Sequence, residues 1–236
     1  FIFASGGATQ KRAAKLLRGR SFQVSLLTEC AALKVLEALA LPASSQIVNA
    51  AGKFLIVAPN TADARARLAT VQQDLDAWFL ERTFGQSGIG LAWMPARCND
   101  FRRATANEEA PFNRLMTRLF AQLERGKLRR FDICGDATPG PVFAGFLERF
   151  GGRRECEIDG RSPAETDVHG LRLSLLAADQ LSIGAHLANP RTSRLLISRE
   201  TLGHAGDLRL SVFGFHISFT GTEEATGRFG PAAADG

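Results

Sequence analysis

Three basic side chains and a hydroxyl crowd into the run Lys15-Leu16-Leu17-Arg18-Gly19-Arg20-Ser21-Phe22-Gln23-Val24. A guanidinium fork binds phosphate in bidentate fashion, and a serine hydroxyl reads a phosphate or a base edge. Arg18, Arg20 and Ser21 are therefore candidates for holding a nucleotide or RNA. The competing reading is that one of these arginines pairs with a carboxylate inside the fold. A second candidate is the turn Asn49-Ala50-Ala51-Gly52 with Lys53 beside it. Nucleotidyl transfer by a palm-like sheet uses two metal ions held by carboxylates. This turn carries none, and neither does the stretch Phe1 to Gly7. The pattern is that of a nucleotide- or RNA-associated domain with no chemistry of its own.

The chain has 236 residues, 45% of them hydrophobic, with 29 Lys and Arg against 24 Asp and Glu and a net charge of +5. That length buries a full core, and the mild basic excess is compatible with a polyanionic partner. The excess is clustered at Lys11, Arg12, Lys15, Arg18 and Arg20, and again at Lys127, Arg129 and Arg130. Cys30, Cys98, Cys134 and Cys156 are scattered, and no secretory signal or membrane span is visible, so a reducing cytoplasm is expected. Cys30 falls on the apolar side of a helix pattern, and Cys98 has no evident base beside it. His169, His186, His204 and His216 show no metal-ligand spacing. The chain begins Phe1-Ile2-Phe3 without an initiator methionine and ends in a linker-like Pro231 to Gly236, so it reads as part of a longer protein.

The elements that position these residues alternate in type. Phe1-Ile2-Phe3 is a short strand, and Ala13 to Leu41 is a helical pattern with a break near Gly19. Gln46-Ile47-Val48 and Phe54-Leu55-Ile56-Val57 form a hairpin. Thr61 caps a helix carrying Leu68, Val71, Leu75, Trp78 and Phe79, which closes at Gly85. Ile89 to Met94 is a further strand. The order β-α-β-β-α-β predicts a ferredoxin-like α+β domain over residues 1–104, a four-stranded antiparallel sheet with two helices on one face. An additional helix opens at Pro111 and closes at Gly126. It belongs to a segment, 105–170, that is otherwise irregular. Residues 171–236 read as a β-rich extension with strands at Leu171 to Leu176, Leu195 to Ile197, Leu208 to Val212 and Phe215 to Phe219.

Leu17-Arg18-Gly19-Arg20-Ser21-Phe22 resembles the motif after the first strand in the large subunit of type III CRISPR effector complexes, III-A branch. Phe1-Ile2-Phe3 is similar to the tail of that family's S-G-I-Q-x-F-I-F strand. Ile47 to Leu55 resembles its I-x-Y-S-G-G-G-x-F hairpin, and Asp179, Ile183, Gly184 and Leu187 match a later D-x3-I-G-x2-L stretch. The resemblance implies a first palm, non-catalytic, that shapes an ATP pocket for cyclic oligoadenylate synthesis. The divalent metal would be held by a G-G-D-D hairpin on a second palm, and neither that motif nor an HD nuclease dipeptide occurs here. Partners would be the other effector subunits, guide RNA with target RNA, and the second palm, with no membrane. Nucleotide-binding candidates under this reading are Arg18, Arg20, Ser21, Asn49, Gly52 and Lys53. Alanine at positions 50 and 51, where the family usually has glycine, adds methyl groups where a nucleotide would approach the backbone.

The family often carries two C-x2-C zinc knuckles, and here each retains one cysteine, Cys134 and Cys156. A structural zinc site takes four ligands. Cys134, Cys156 and Asp159 supply three at most, with His169 a distant fourth, so zinc is not expected. Two alternatives stay open: a nucleotide cyclase-type palm acting alone, and a stand-alone RNA-binding ferredoxin-like module stacking bases on Phe54 and Trp93.

Overall fold

The computed structural model describes residues 12–50, 52–104, 109–128, 131, 146–189, 191–192, 194–200 and 208–221. Helix α1 (Ala13–Ala38) leads, followed by a hairpin of β1 (Gln46–Ala50) and β2 (Lys53–Ile56) and then helix α2 (Ala62–Thr83). Helix α3 (Pro111–Lys127) and a short α4 (Phe146–Phe150) come next. A small hairpin of β3 (Thr166–Val168) and β4 (Leu171–Leu173) leads into α5 (Leu175–His186). The chain closes with β5 (Arg194–Ser198), β6 (Leu208–Val212) and β7 (Phe215–Thr220), an antiparallel sheet in the order β5-β7-β6. The architecture is mixed helix and sheet, α+β, with small antiparallel sheets.

Several boundaries follow local chemistry. Thr61 Oγ1 accepts from the Ala64 N–H at 3.1 Å and caps α2, as its sequence position predicts. The helix stops where Phe84 and Gly85 take positive φ, 53° and 73°. The turn between β6 and β7 is Phe213-Gly214, both at positive φ, the two-residue geometry that matches strand twist.

The main core gathers Leu26, Leu27, Cys30, Ala31 and Val35 of α1 with Val71, Leu75 and Phe79 of α2. Ile183 of α5 and Ile197, Phe215, Ile217 and Phe219 of the three-stranded sheet complete it. A smaller core joins Leu16 to Cys156, Ile158, Leu173, Ala177 and Leu181. α1 reaches both, so it is the spine of the molecule.

Three expectations need correction. Helix α1 does not break at Gly19. A Cβ built there would lie 1.9 Å from the Gln180 carbonyl oxygen, and one built on Gly184 would lie 2.0 Å from the Lys15 carbonyl oxygen. The two helices cross backbone to backbone through reciprocal glycines. The predicted strand at Leu171 to Leu176 ends at Leu173, and Ser174 Oγ accepts from Ala177 N–H at 3.3 Å to start α5. The C-terminal third is therefore not purely β-rich: α5 was hidden because apolar residues surround it on all sides, leaving no helical stripe to read. Ile89 to Met94 joins no ladder among the described residues. The Gln72 side chain takes a strand partner's place, donating to the Ile89 carbonyl at 3.0 Å and accepting from the Leu91 N–H at 2.6 Å. Phe1-Ile2-Phe3 lies outside the described residues.

Gly19→Ala or Gly184→Ala should force α1 and α5 apart and cost about 1–3 kcal/mol, the usual range for overpacking. Gly126→Ala on α3, where nothing lies within 4 Å, should be neutral or mildly stabilising. Thermal melts of the three variants check the contrast.

Candidate functional site

Helical spacing divides the arginine-rich run between two environments. Residues 14, 18, 21 and 25 fall on one side of α1, while 16, 19, 20 and 23 fall on another. Ala14, Leu17, Arg18, Ser21 and Ser25 are exposed and, with Phe22 and Leu187, line an open groove of about 620 Å³. Phe22 is steadied by Phe219, ring centres 5.6 Å apart. Leu187 enters from just past the end of α5.

Arg20 is not in that groove. It is buried at 4% exposure, and its Nε donates to Gln180 Oε1 at 3.1 Å. Gln180 Nε2 in turn donates to Gln23 Oε1 at 3.0 Å. Burial pulls the Arg20 guanidinium below its ordinary pKa, opposed by the charges of Asp159 and Cys156. Its place is the α1–α5 seam, beside the glycine crossing. The trio read from sequence thus splits, with Arg18 and Ser21 facing solvent and Arg20 holding the fold.

The β1–β2 hairpin lies against α1 just beyond the groove. Its tip touches the helix twice: a Cβ on Gly52 would sit 3.3 Å from Val24 Cγ1, and Asn49 Nδ2 donates to Glu29 Oε2 at 2.5 Å. From Thr28 onward, positions 28, 32, 35 and 36 on the groove side of α1 are buried. Along α1 the groove's lining stops at Ser25, next to Val24, where the hairpin tip lands. Gly52 holds φ +74° there, Ala50 is exposed, and position 51 lies outside the described residues. Lys53 turns to α3, its Nζ 5.1 Å from the Phe120 ring centre.

Glu29 went unnoticed in the sequence although it stands eleven residues after Arg18, close to three helical turns, on the same side of the helix. Burial pushes its carboxyl above the usual range. Cys30, one residue on, is fully buried and its thiol is pushed up to about 12, first by burial, so it is no nucleophile. Asp179, part of the D-x3-I-G-x2-L stretch, bonds Arg82 Nη2 at 2.9 Å, Ile183 is core and Gly184 is the crossing. Only Leu187 of that stretch reaches the groove.

The zinc candidates meet in part. Asp159 Oδ1 accepts from the N–H groups of Arg161 and Ser162 at 2.9 and 2.8 Å, which closes the 156–162 turn. The Ser174 hydroxyl sits between Asp159 Oδ2 at 3.2 Å and Cys156 Sγ at 3.7 Å. Cys134 lies outside the described residues, and His169 occupies the β3–β4 turn at φ +52°. Among the described residues no group of three His, Cys, Asp or Glu side chains is placed to hold a metal ion. Cys156 and Asp159 supply two donors, both engaged by Ser174, where a closed zinc site takes four. Phe54 packs against the main core, while Trp93 stays partly exposed beneath the Arg65 guanidinium, 5.2 Å from its ring centre. Among the described residues no helix is long and apolar enough to cross a membrane.

The family model described as Csm1 subunit domain B matches residues 1–137. The chain belongs to that family. It is 28% identical over 165 residues to the CRISPR system single-strand-specific deoxyribonuclease Cas10/Csm1 (subtype III-A) of Thermococcus onnurineus, covering 70% of this chain and 20% of that protein. It is 28% identical over 126 residues to the Mycobacterium tuberculosis protein of the same description, covering 50% and 16%. The chain thus spans about a fifth of the length of these relatives. Its fold is similar to Csm1 in a Csm1-Csm4 subcomplex of the type III-A interference complex, with TM-score 0.56, 22% identity, and 88% of this chain and 23% of the other covered. A Csm1-Csm4 cassette in complex with one ATP gives TM-score 0.56 at 23% identity, covering 90% and 24%. The resemblance to type III-A large subunits carried by Leu17 to Phe22 is borne out.

Arg20→Ala should lower stability by about 1–3 kcal/mol by stripping a partner from the buried Gln180–Gln23 chain, while Arg18→Ala leaves the melting temperature unchanged. Glu29 adds a pH signature. Its folded pKa stands above its unfolded value, so the folded state is relatively favoured in acid and loses that advantage as pH rises through the folded pKa. Glu29→Gln should flatten this limb and raise neutral-pH stability relative to the parent, measured by denaturant unfolding across that range.

Proposed function

We propose that this chain is the non-catalytic first palm of the large subunit of a type III-A CRISPR RNA-guided antiviral complex. Its groove would form one half of an ATP site for cyclic oligoadenylate synthesis. A second palm would complete the site and hold the divalent metal that activates the attacking hydroxyl. The observation that carries this reading is the groove itself. Arg18 and Ser21 lie exposed beside Leu17, Phe22 and Leu187, a fork for phosphate next to an apolar wall for a base. Csm1-Csm4 cassettes of similar fold are described in complex with ATP, with pppApA and with cA3, which fits a nucleotide as occupant. The turn at 49–53 carries no carboxylate, so the metal-holding role falls to the other half.

The ferredoxin-like order belongs to the same reading. Among the described residues β2 pairs only with β1, and residues 89–94 have backbone groups tied to a glutamine side chain rather than to a strand. A strand at Phe1-Ile2-Phe3 between them would complete the four-stranded sheet. The partners that follow are a Csm4-like subunit, guide RNA paired with target RNA, and the second palm.

Arg18→Ala in the intact protein should weaken ATP binding about tenfold or more, the worth of one charge-assisted hydrogen bond, with no change in melting temperature. The chain alone, given ATP and magnesium, should yield no cyclic oligoadenylate. Product formed by the isolated chain would overturn the non-catalytic assignment.

A further inference from the structure

The segment around Cys156 and Asp159 has the outline of a zinc knuckle but different contents. Position 159 is where the second cysteine of a C-x2-C pair would stand, and an aspartate occupies it. The backbone still makes a tight turn: the Gly160 N–H donates to the Cys156 carbonyl at 2.8 Å, with Gly160 at φ +63°. Asp159 closes that turn with both of its oxygens. Oδ1 accepts from the Arg161 and Ser162 N–H groups at 2.9 and 2.8 Å, and Oδ2 accepts from the Ser174 hydroxyl at 3.2 Å. Ser174 also caps α5, so the carboxylate stands behind a helix N-terminus, where negative charge is favoured. From just past the end of α2, Gln86 Nε2 donates to Ser162 Oγ at 3.1 Å. The donor set does not suit zinc: Asp159 would give up three hydrogen bonds, and Cys156 is fully buried against Leu16, Leu173, Ala177 and Leu181.

The positive charge a metal would bring comes instead from α1. Leu16 packs against Cys156 and Ile158, and Arg20 follows it by four residues, one turn on along the same side of the helix. Burial works against the charge of that guanidinium, and Asp159, then Cys156, sustains it. A divalent cation on Cys156 and Asp159 would share this space with a buried guanidinium, and like charges repel strongly where the dielectric is low. We infer that the turn at 156–162 is a knuckle that works without metal: the Asp159 carboxylate closes it, and the Arg20 guanidinium of α1 is its resident cation. The inference stands apart from the nucleotide reading of the groove. It gives the inward-facing arginine of the basic run a charge partner of its own, separate from the role of Arg18.

Metal analysis and thermal melts of the intact protein test both halves. The purified protein should hold well below one equivalent of zinc, and neither added zinc nor a chelator should move its melting temperature, since no metal-binding energy is linked to folding. A stoichiometric zinc whose removal lowers the melting temperature overturns the metal-free knuckle. Asp159→Asn keeps an oxygen for the Arg161 and Ser162 N–H groups but loses the charge, so it isolates the ion pair. It should melt below the parent, and Asp159→Ala lower still. Combining Asp159→Asn with Arg20→Ala should cost clearly less than the two single losses added together, the mark of coupled partners. Strictly additive losses overturn Arg20 as the cation. Where Asp159→Asn fails to fold by circular dichroism, Arg20→Lys against Arg20→Gln carries the test. The charged variant should melt higher, and an equal or reversed order overturns the pairing.

Discussion

The contact of α1 with α5 at Gly19 and Gly184 governs the rest of the molecule. With a Cβ only 1.9–2.0 Å from the opposing carbonyl oxygens, no side chain fits at either position without moving a helix. Close approach sets the rotation of α1 about its own axis. Once Gly19 faces α5, Arg20 and Gln23 must enter the seam and Arg18 and Ser21 must face away. The buried Arg20–Gln180–Gln23 chain then satisfies the polar groups the crossing encloses, since a donor left unpaired at that depth costs about 1–3 kcal/mol. The groove is a by-product of a packing constraint: its polar face exists because the neighbouring face is committed to α5.

The same helix carries its partners in sequence. Its first half is open on the groove side, and its second half is covered there from Thr28 onward. The change happens where the hairpin tip lands on Val24 and Glu29. The small core around Leu16, Cys156 and Leu181 braces the first half from the opposite side. One long helix thus joins the hairpin, the 156–173 segment and the three-stranded sheet, and a disturbance at the glycine crossing reaches all three.

Much of this was legible in the sequence where one element satisfied its own rule. The cap at Thr61, the αL stop at Gly85, the hairpin at 46–57 and the Phe213-Gly214 turn each depend on residues close in the chain. What stayed hidden depends on distant residues. Gly19 looked like a helix breaker because glycine lowers helix propensity, yet here it is required by a helix 160 residues away in sequence. Leu175 and Leu176 looked like the end of a strand because they continue the apolar run from Leu171, and the helix start there depends on the Ser174 cap. Residues 89–94 have a strand's composition but find a side chain, Gln72, instead of a backbone partner. In the candidate site, Arg18 and Ser21 were readable from residue type, whereas the separation of Arg20 from them needed the orientation of α1, and Glu29 needed the landing point of the hairpin.

That landing point also bears on what a hairpin turn without carboxylates can hold. The tip of such a hairpin, in a metal-dependent enzyme, is where cations gather, and binding two of them takes several oxygens with negative charge concentrated between strands. Here the turn supplies an amide, and the nearest acid, Glu29, belongs to the helix below and is bonded by that amide. Burial makes it reluctant to ionise, which weakens it further as a cation ligand. A single carboxyl of this kind suits neutral hydrogen-bond recognition better than divalent coordination. The turn thus rests on α1 through Asn49 and Gly52 and offers no carboxylate of its own to a cation.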